Sequence, residues 1–230
     1  MDHVPLLFAE SVARFFDYHS LASLRDSRSR VFGNVGRSLW EKRLYVFLYV
    51  VYNPAARTFD YCLAFRLNSR YIGPATQYTY DPADHRFVYF LEVNLLEEKS
   101  SLNNVDVTWT TATHSDPTFM KLLRVPFPQT QLRLNVNCPE LLRLMQGYCT
   151  FNYITAYRPF DYNEVLDAII QRSQACGRLE RLYCNHFLEK RGMEASIAWI
   201  STNKRLRMIC GYLIENPESV RSTLNFFGIE

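Results

Sequence analysis

Five kinds of residue in this chain could carry chemistry: six cysteines, five histidines, one glycine pair, a run of carboxylates and an aromatic-rich middle. Cys184-Asn185-His186 puts a thiol near an imidazole at the carboxyl end of an expected strand, where sites of α/β proteins often lie. The two side chains share a face only if the strand continues to His186; otherwise Cys184 is a core thiol and His186 a surface residue. His3, His19, His85 and His114 lack the i, i+4 spacing of a helix-borne metal pair, and no cysteine cluster complements them. No metal and no cofactor are expected. Gly33-Asn34-Val35-Gly36-Arg37-Ser38 has two glycines of a phosphate loop but lacks its four-residue gap, its Lys and a preceding strand. It is expected as a turn between helices. Glu97 and Glu98 run into Lys99-Ser100-Ser101, a charged loop, and no G-x-S-x-G elbow occurs. No reaction is identified, and the chain is expected not to be an enzyme.

The bulk composition agrees with a packed, non-nucleotide-binding protein. Of 230 residues, 48% are apolar, with 16 Phe, 15 Tyr and 3 Trp, and this excludes disorder as the main state. Glycine is scarce, 8 in all, so backbone loops that close on phosphate have little raw material. The net charge of +3 comes from mixed signs in every segment, without the basic stripe that would neutralise several phosphates. Nucleic acid is therefore unsupported, although Tyr and Phe displayed beside Arg could stack on single-stranded bases. The longest apolar run, Leu44 to Tyr52, is nine residues against the ~20 of a membrane span, and the first residues form no signal peptide. With no C-x-x-C pair, the cysteines read as reduced thiols of an intracellular protein, cytoplasmic or nuclear.

Three stretches must position these residues, and together they predict an α+β fold. Residues 1–43 read as short helices: Phe8, Val12, Phe15 and Phe16 recur at helical spacing, Ser20 is expected to cap a second helix bearing Leu21 and Leu24, and Leu39 and Trp40 close the segment. Arg25 to Arg30 reads as a solvated loop or helix face. Residues 44–115 change to a period of two and predict a small antiparallel sheet. Its strands are Leu44–Tyr52, Phe59–Leu67, Arg86–Val93 and Val105–Thr111, with turn residues at Asn53–Thr58 and Asp81–Asp84.

Residues 116–230 predict βα units continuous with that sheet. Strands are expected at Leu132–Val136, Thr150–Thr155, Leu179–Cys184 and Leu206–Cys210, and helices after Asp161, over 191–201 and after Asn216. Ile154, Leu182 and Ile209 are spaced 28 and 27 residues apart, within the leucine-rich-repeat range of about 20 to 29, and Leu179 to Cys184 fits L-x-x-L-x-C. The preceding interval, Val136 to Ile154, is only 18, so an ordinary α/β arrangement stays open.

At Val4-Pro5 to Arg43, the residues Val4, Pro5, Phe8, Val12, Phe16, Leu21, Leu24, Ser27, Phe32, Leu39 and Trp40 follow a pattern that resembles an F-box. The whole chain is similar to large, mostly uncharacterised nematode families that open with a segment like Met1-Asp2-His3-Val4-Pro5-Leu6-Leu7-Phe8. The resemblance implies docking on the Skp-type adaptor of a cullin–RING ubiquitin ligase, through a surface formed by Pro5, Leu6, Leu21, Leu24 and Trp40. It also implies a leucine-rich-repeat-like body that recruits a substrate. Two alternatives remain: an interaction protein with no ligase link, its helices capping a sheet edge, and a small-ligand or enzyme site at the carboxyl ends of the C-terminal strands.

Overall fold

Alternation of apolar residues from Leu44 onward lays down a ten-stranded sheet, and a computed structural model describes it for residues 5–16, 18–67, 70–74, 88–102, 107–124, 127–146, 150–156, 164–184, 208–209 and 212–213. The fold is α+β. Three helices lead the chain, α1 (Leu6–Ala13), α2 (Tyr18–Arg25) and α3 (Arg30–Lys42). The strands are β1 (Leu44–Asn53), β2 (Thr58–Leu67), β3 (Arg70–Pro74), β4 (Val88–Leu96), β5 (Thr110–Ala112), β6 (Gln129–Leu134), β7 (Tyr153–Ala156), β8 (Arg181–Cys184), β9 (Met208–Ile209) and β10 (Tyr212–Leu213). Between them lie α4 (Pro117–Arg124), α5 (Pro139–Gln146) and α6 (Glu164–Ala175). Across the sheet the order is β10-β9-β8-β7-β6-β4-β1-β2-β3, with β5 also on β2.

The hairpin β1–β2 forms as its sequence predicts. Asn53 Oδ1 accepts from the backbone N–H groups of Ala55 and Ala56, and Arg57 takes the left-handed φ of 54° that brings the chain back. β4 departs from expectation. It pairs parallel to β1, not antiparallel, and runs on to Leu96, so the sheet is mixed and β1 joins its antiparallel and parallel parts. From β4 through β9 every pairing is parallel.

Register explains the packing. Leu63, Leu48, Val93, Leu132, Ile154 and Leu182 are partners in one row across six strands, and all but the half-buried Leu63 are fully enclosed. α4, α5 and α6 bury their apolar positions in the same core cluster: Phe119, Leu122 and Leu123; Leu141, Leu142 and Met145; Leu166, Ile169 and Ile170. Phe119 stacks on Phe59 at 5.5 Å between ring centroids and meets Tyr61 at 5.1 Å. These helices thus cover one face of the sheet.

α4 and α5 have no counterpart among the sequence expectations, yet both carry start signals. Pro117 and Pro139 stand at first helical positions, where a missing N–H costs nothing, and Asp116 Oδ1 caps α4 by accepting from Phe119 N at 2.8 Å. The helices expected over 191–201 and after Asn216, the turn Asp81–Asp84 and the cap at Asp161 lie outside the described residues.

The N-terminal helices hold a separate small core of Ala9, Ala13, Leu21, Val35 and Leu39, with Phe16, Leu24 and Trp40 packed on it. Two expectations change here. Ser20 lies within α2, while Ser29 is the residue that caps a helix, accepting from Phe32 N at the start of α3. Gly33 to Ser38 is interior helix, not a turn, because its glycines are points of close approach. A Cβ at Gly36 would stand 2.5 Å from Arg25 N and 2.8 Å from Leu24 C, so α2 and α3 touch backbone to backbone. One residue, Arg43, joins the head to β1: its guanidinium lies 3.8 Å over the Tyr89 ring and donates to the Phe16 carbonyl.

A polar clasp locks the amino-terminal ends of β6, β7 and β8. Asn152, 3% exposed, accepts at Oδ1 from Thr130 N (3.0 Å) and Arg178 (3.2 Å), and donates from Nδ2 to Arg178 O and Glu180 Oε1. Arg178 also donates to the carbonyls of Phe127 and Pro128. It reaches them because α6 ends in a glycine turn: Gly177 has φ +63°, and Arg178 N donates to Ser173 O.

Two stability outcomes follow. Asn152→Ala orphans Thr130 N–H inside the clasp and is expected to cost roughly 2–3 kcal/mol, read as a lower urea midpoint at unchanged slope. Gly36→Ala, which would gain about 1 kcal/mol in an open helix, is expected instead to lose roughly 1–3 kcal/mol from the forced separation of α2 and α3. Asn34→Ala, on the exposed side of the same helix, serves as the neutral control.

Candidate functional site

The head divides the adaptor-surface residues by burial. Pro5 precedes α1 and is exposed, and Leu6 is 54% exposed. Leu21 is completely enclosed and can act on a partner only by holding the helices together. Leu24 and Trp40 are half-buried against the head core, with the Arg25 guanidinium 5.0 Å over the Trp40 ring. Arg25 also pairs with Asp26 at 2.9 Å, and this lowers the Asp26 carboxyl below its ordinary range.

α1 presents a different face from the one its spacing suggests. Ala9 and Ala13 turn inward, while Leu7 (77%), Phe8 (59%), Val12 and Phe15 (68%) stay exposed. At 100° per residue Leu7, Phe8 and Val12 lie on one outward arc of the helix, and Phe15 follows in the turn after it. Between α1 and α3 runs a cleft of about 280 Å³ with Leu7 and Phe15 on its rim, Val35 and Leu39 from α3, and Glu10 and Arg14 as polar borders. Leu6-Leu7-Phe8 is the signal that could have found it: three consecutive apolar residues on a helix cannot all face one core.

The sheet face away from α4, α5 and α6 is the second surface. Toward β1 it is aromatic, with Tyr45, Phe47 and Phe90 half-buried and Phe47 6.1 Å from Phe90. Toward β8 it turns polar. Glu92, its side chain 9% exposed, accepts from Arg133 at 3.3 Å; Arg133 keeps 40% of its side chain in solvent. Asn94 sits beside Arg133 in register, 4% exposed, and its Nδ2 meets no acceptor. On β7 and β8, the Arg181 guanidinium stacks 5.3 Å over Tyr153, and Tyr183 is exposed. At the β2 edge, Thr111 and Lys99 hydrogen-bond Asp60 and hold its carboxyl below the usual range.

For the remaining candidates the geometry is simpler. Cys184 belongs to β8, and Asn185 and His186 lie outside the described residues. Glu97 and Glu98 follow β4, and the Glu98 carbonyl starts a short 3-10 turn over Lys99–Leu102. Among the described residues, no three His, Cys, Asp or Glu side chains gather as metal ligands, and no helix is long and apolar enough to cross a membrane. Cys62, Cys138 and Cys176 are free thiols, the first two buried.

Burial pushes the Cys62 thiol up to about 12 and the Cys138 thiol to about 11, from 9.0. At pH 8, labelling of the native protein with iodoacetamide is expected to spare both and modify the exposed Cys176, as mapped by mass spectrometry. Because the unfolded thiols ionise near 9 while the folded ones stay neutral, the stability they protect is complete below that pH. It is lost as pH rises from about 9 toward 11 to 12. No protein-family model, curated protein or solved structure matches the chain, so its functional reading rests on these surfaces.

Proposed function

We infer that the chain is a non-catalytic protein–protein interaction protein whose helical head docks on a partner and whose sheet holds a second one. The observation that carries this reading is the set of exposed apolar side chains on α1 and the turn after it, Leu7, Phe8, Val12 and Phe15, of which Leu7 and Phe15 border the cleft to α3. Exposed apolar side chains gathered on one face mark interaction sites on soluble proteins. The F-box-like pattern of the head points to the Skp-type adaptor of a cullin–RING ubiquitin ligase as its partner, and the body would then recruit the substrate. That assignment goes with a cytoplasmic or nuclear location, in keeping with the free thiols of Cys62, Cys138 and Cys176.

Arg43 favours a second reading, in which the head is an integral cap with no ligase link. Its guanidinium ties the Phe16 carbonyl to the Tyr89 ring, so head and sheet share a contact that a loosely appended module would lack.

Calorimetric titration of the full chain with a Skp-type adaptor separates the two. Docking through the arc is expected to give micromolar or tighter affinity. Leu7→Asp and Phe15→Asp, both on the rim and outside the head core, are each expected to weaken it by about tenfold or more, since a buried contact residue of this size contributes roughly 1.5–3 kcal/mol. Absence of binding at tens of micromolar overturns adaptor docking and leaves the cap.

A further inference from the structure

We propose that Ser27 is a modification site, phosphorylated by an arginine-directed serine kinase, and that the arginines around it hold the phosphate. The stretch Arg25-Asp26-Ser27-Arg28-Ser29-Arg30 joins α2 to α3, with an arginine two residues before Ser27 and others one and three residues after it. Ser27 is exposed, as are Arg28 and Arg30, and it lies outside both helices. Its Oγ accepts from Ser29 N at 3.2 Å, a contact that does not use the hydroxyl proton. Ser29 is half-buried and accepts from Phe32 N as the cap of α3, so a phosphate there would cost the helix its cap. Of the two hydroxyls in the loop, the fold presents Ser27 and engages Ser29.

Charge around this hydroxyl is one-sided. Asp26 is the one acid in the stretch, and Arg25 donates to both of its oxygens, at 2.9 and 3.1 Å. That hydrogen bonding, with the charges of Arg25 and Arg37, holds the Asp26 carboxyl below its ordinary range, so Arg37 of α3 also acts on the loop. Among the described residues, Arg28 and Arg30 enter no ion pair. A phosphoserine brings about −1.5 to −2 of charge at neutral pH and three acceptor oxygens, and it is stabilised opposite an arginine cluster. In the transfer an O–P bond forms between Ser27 Oγ and the γ-phosphorus of ATP. The bridging P–O bond breaks, its electron pair leaves with ADP, and the hydroxyl proton passes to the catalytic base of the kinase.

The inference goes beyond the interaction reading and does not depend on adaptor docking, which can fail without touching it. The test incubates the native full chain with an arginine-directed serine kinase, magnesium and ATP, and maps the product by mass spectrometry. A single phosphate on Ser27 is expected. Ser27→Ala, an exposed change that leaves the fold intact, is expected to abolish it, and Arg28→Gln with Arg30→Gln to slow it by about tenfold through lost charged hydrogen bonds to the kinase. The fully phosphorylated chain is expected to melt about 2–4 °C higher than the unmodified one at low ionic strength. High salt and the double arginine variant are each expected to shrink that gap. No incorporation, a phosphate on Ser29 or another serine in place of Ser27, or incorporation only into chain unfolded beforehand overturns the site; an unchanged or lower Tm overturns the arginine hold.

Discussion

One lateral row of side chains decides what the rest of the molecule can be. Leu63, Leu48, Val93, Leu132, Ile154 and Leu182 stand side by side across six strands. Because side chains alternate along a strand, a slip of one residue in any strand would turn its whole apolar set to the opposite face. The row therefore commits every strand at once. It defines the face on which α4, α5 and α6 must lie, and by the same alternation it sends Glu92, Asn94, Arg133, Tyr153 and Arg181 to the other. The polar surface is a by-product of the core register.

Much of this was legible because a period of two is a strong local signal. β1, β2, β7 and β8 fall within a few residues of where alternation and turn chemistry put them. The interval of 28 residues from Ile154 to Leu182 reappears as direct lateral pairing, as does the 27 from Leu182 to Ile209. Ile154 pairs laterally with Leu132, 22 residues earlier, and not with Val136.

Illegible features share a physical cause, which is that they depend on groups far apart in the chain. Parallel pairing of β4 with β1 reflects which edge of the hairpin stays open after β2 has taken β3 and β5. Gly36 looked like turn chemistry because nothing local says that the Arg25 backbone will press against it. In α1 the bulky residues seemed the natural core positions, but the space beside α2 and α3 admits only Ala9 and Ala13. Asn152 and Arg178 are polar residues just before strands, indistinguishable in sequence from loop residues; Asn152 bonds groups 22 to 28 residues away and Arg178 reaches carbonyls about 50 residues away. Of the surfaces, the exposed arc was present in Leu6-Leu7-Phe8, whereas the stacking of Arg181 over Tyr153 exists only once β7 and β8 are in register.

The junction at Arg43 has a mechanical meaning. A flexible tether lets two binding modules sample each other at a concentration set by linker length. Here helix α3 ends at Lys42 and strand β1 begins at Leu44, so the tether is a single residue, buried and stacked on Tyr89. Torque applied to the head passes straight into β1, the strand where the antiparallel and parallel parts of the sheet meet. Anything seated on α1 is carried at a constant angle to the strands, and the chain acts as a bracket, not a leash.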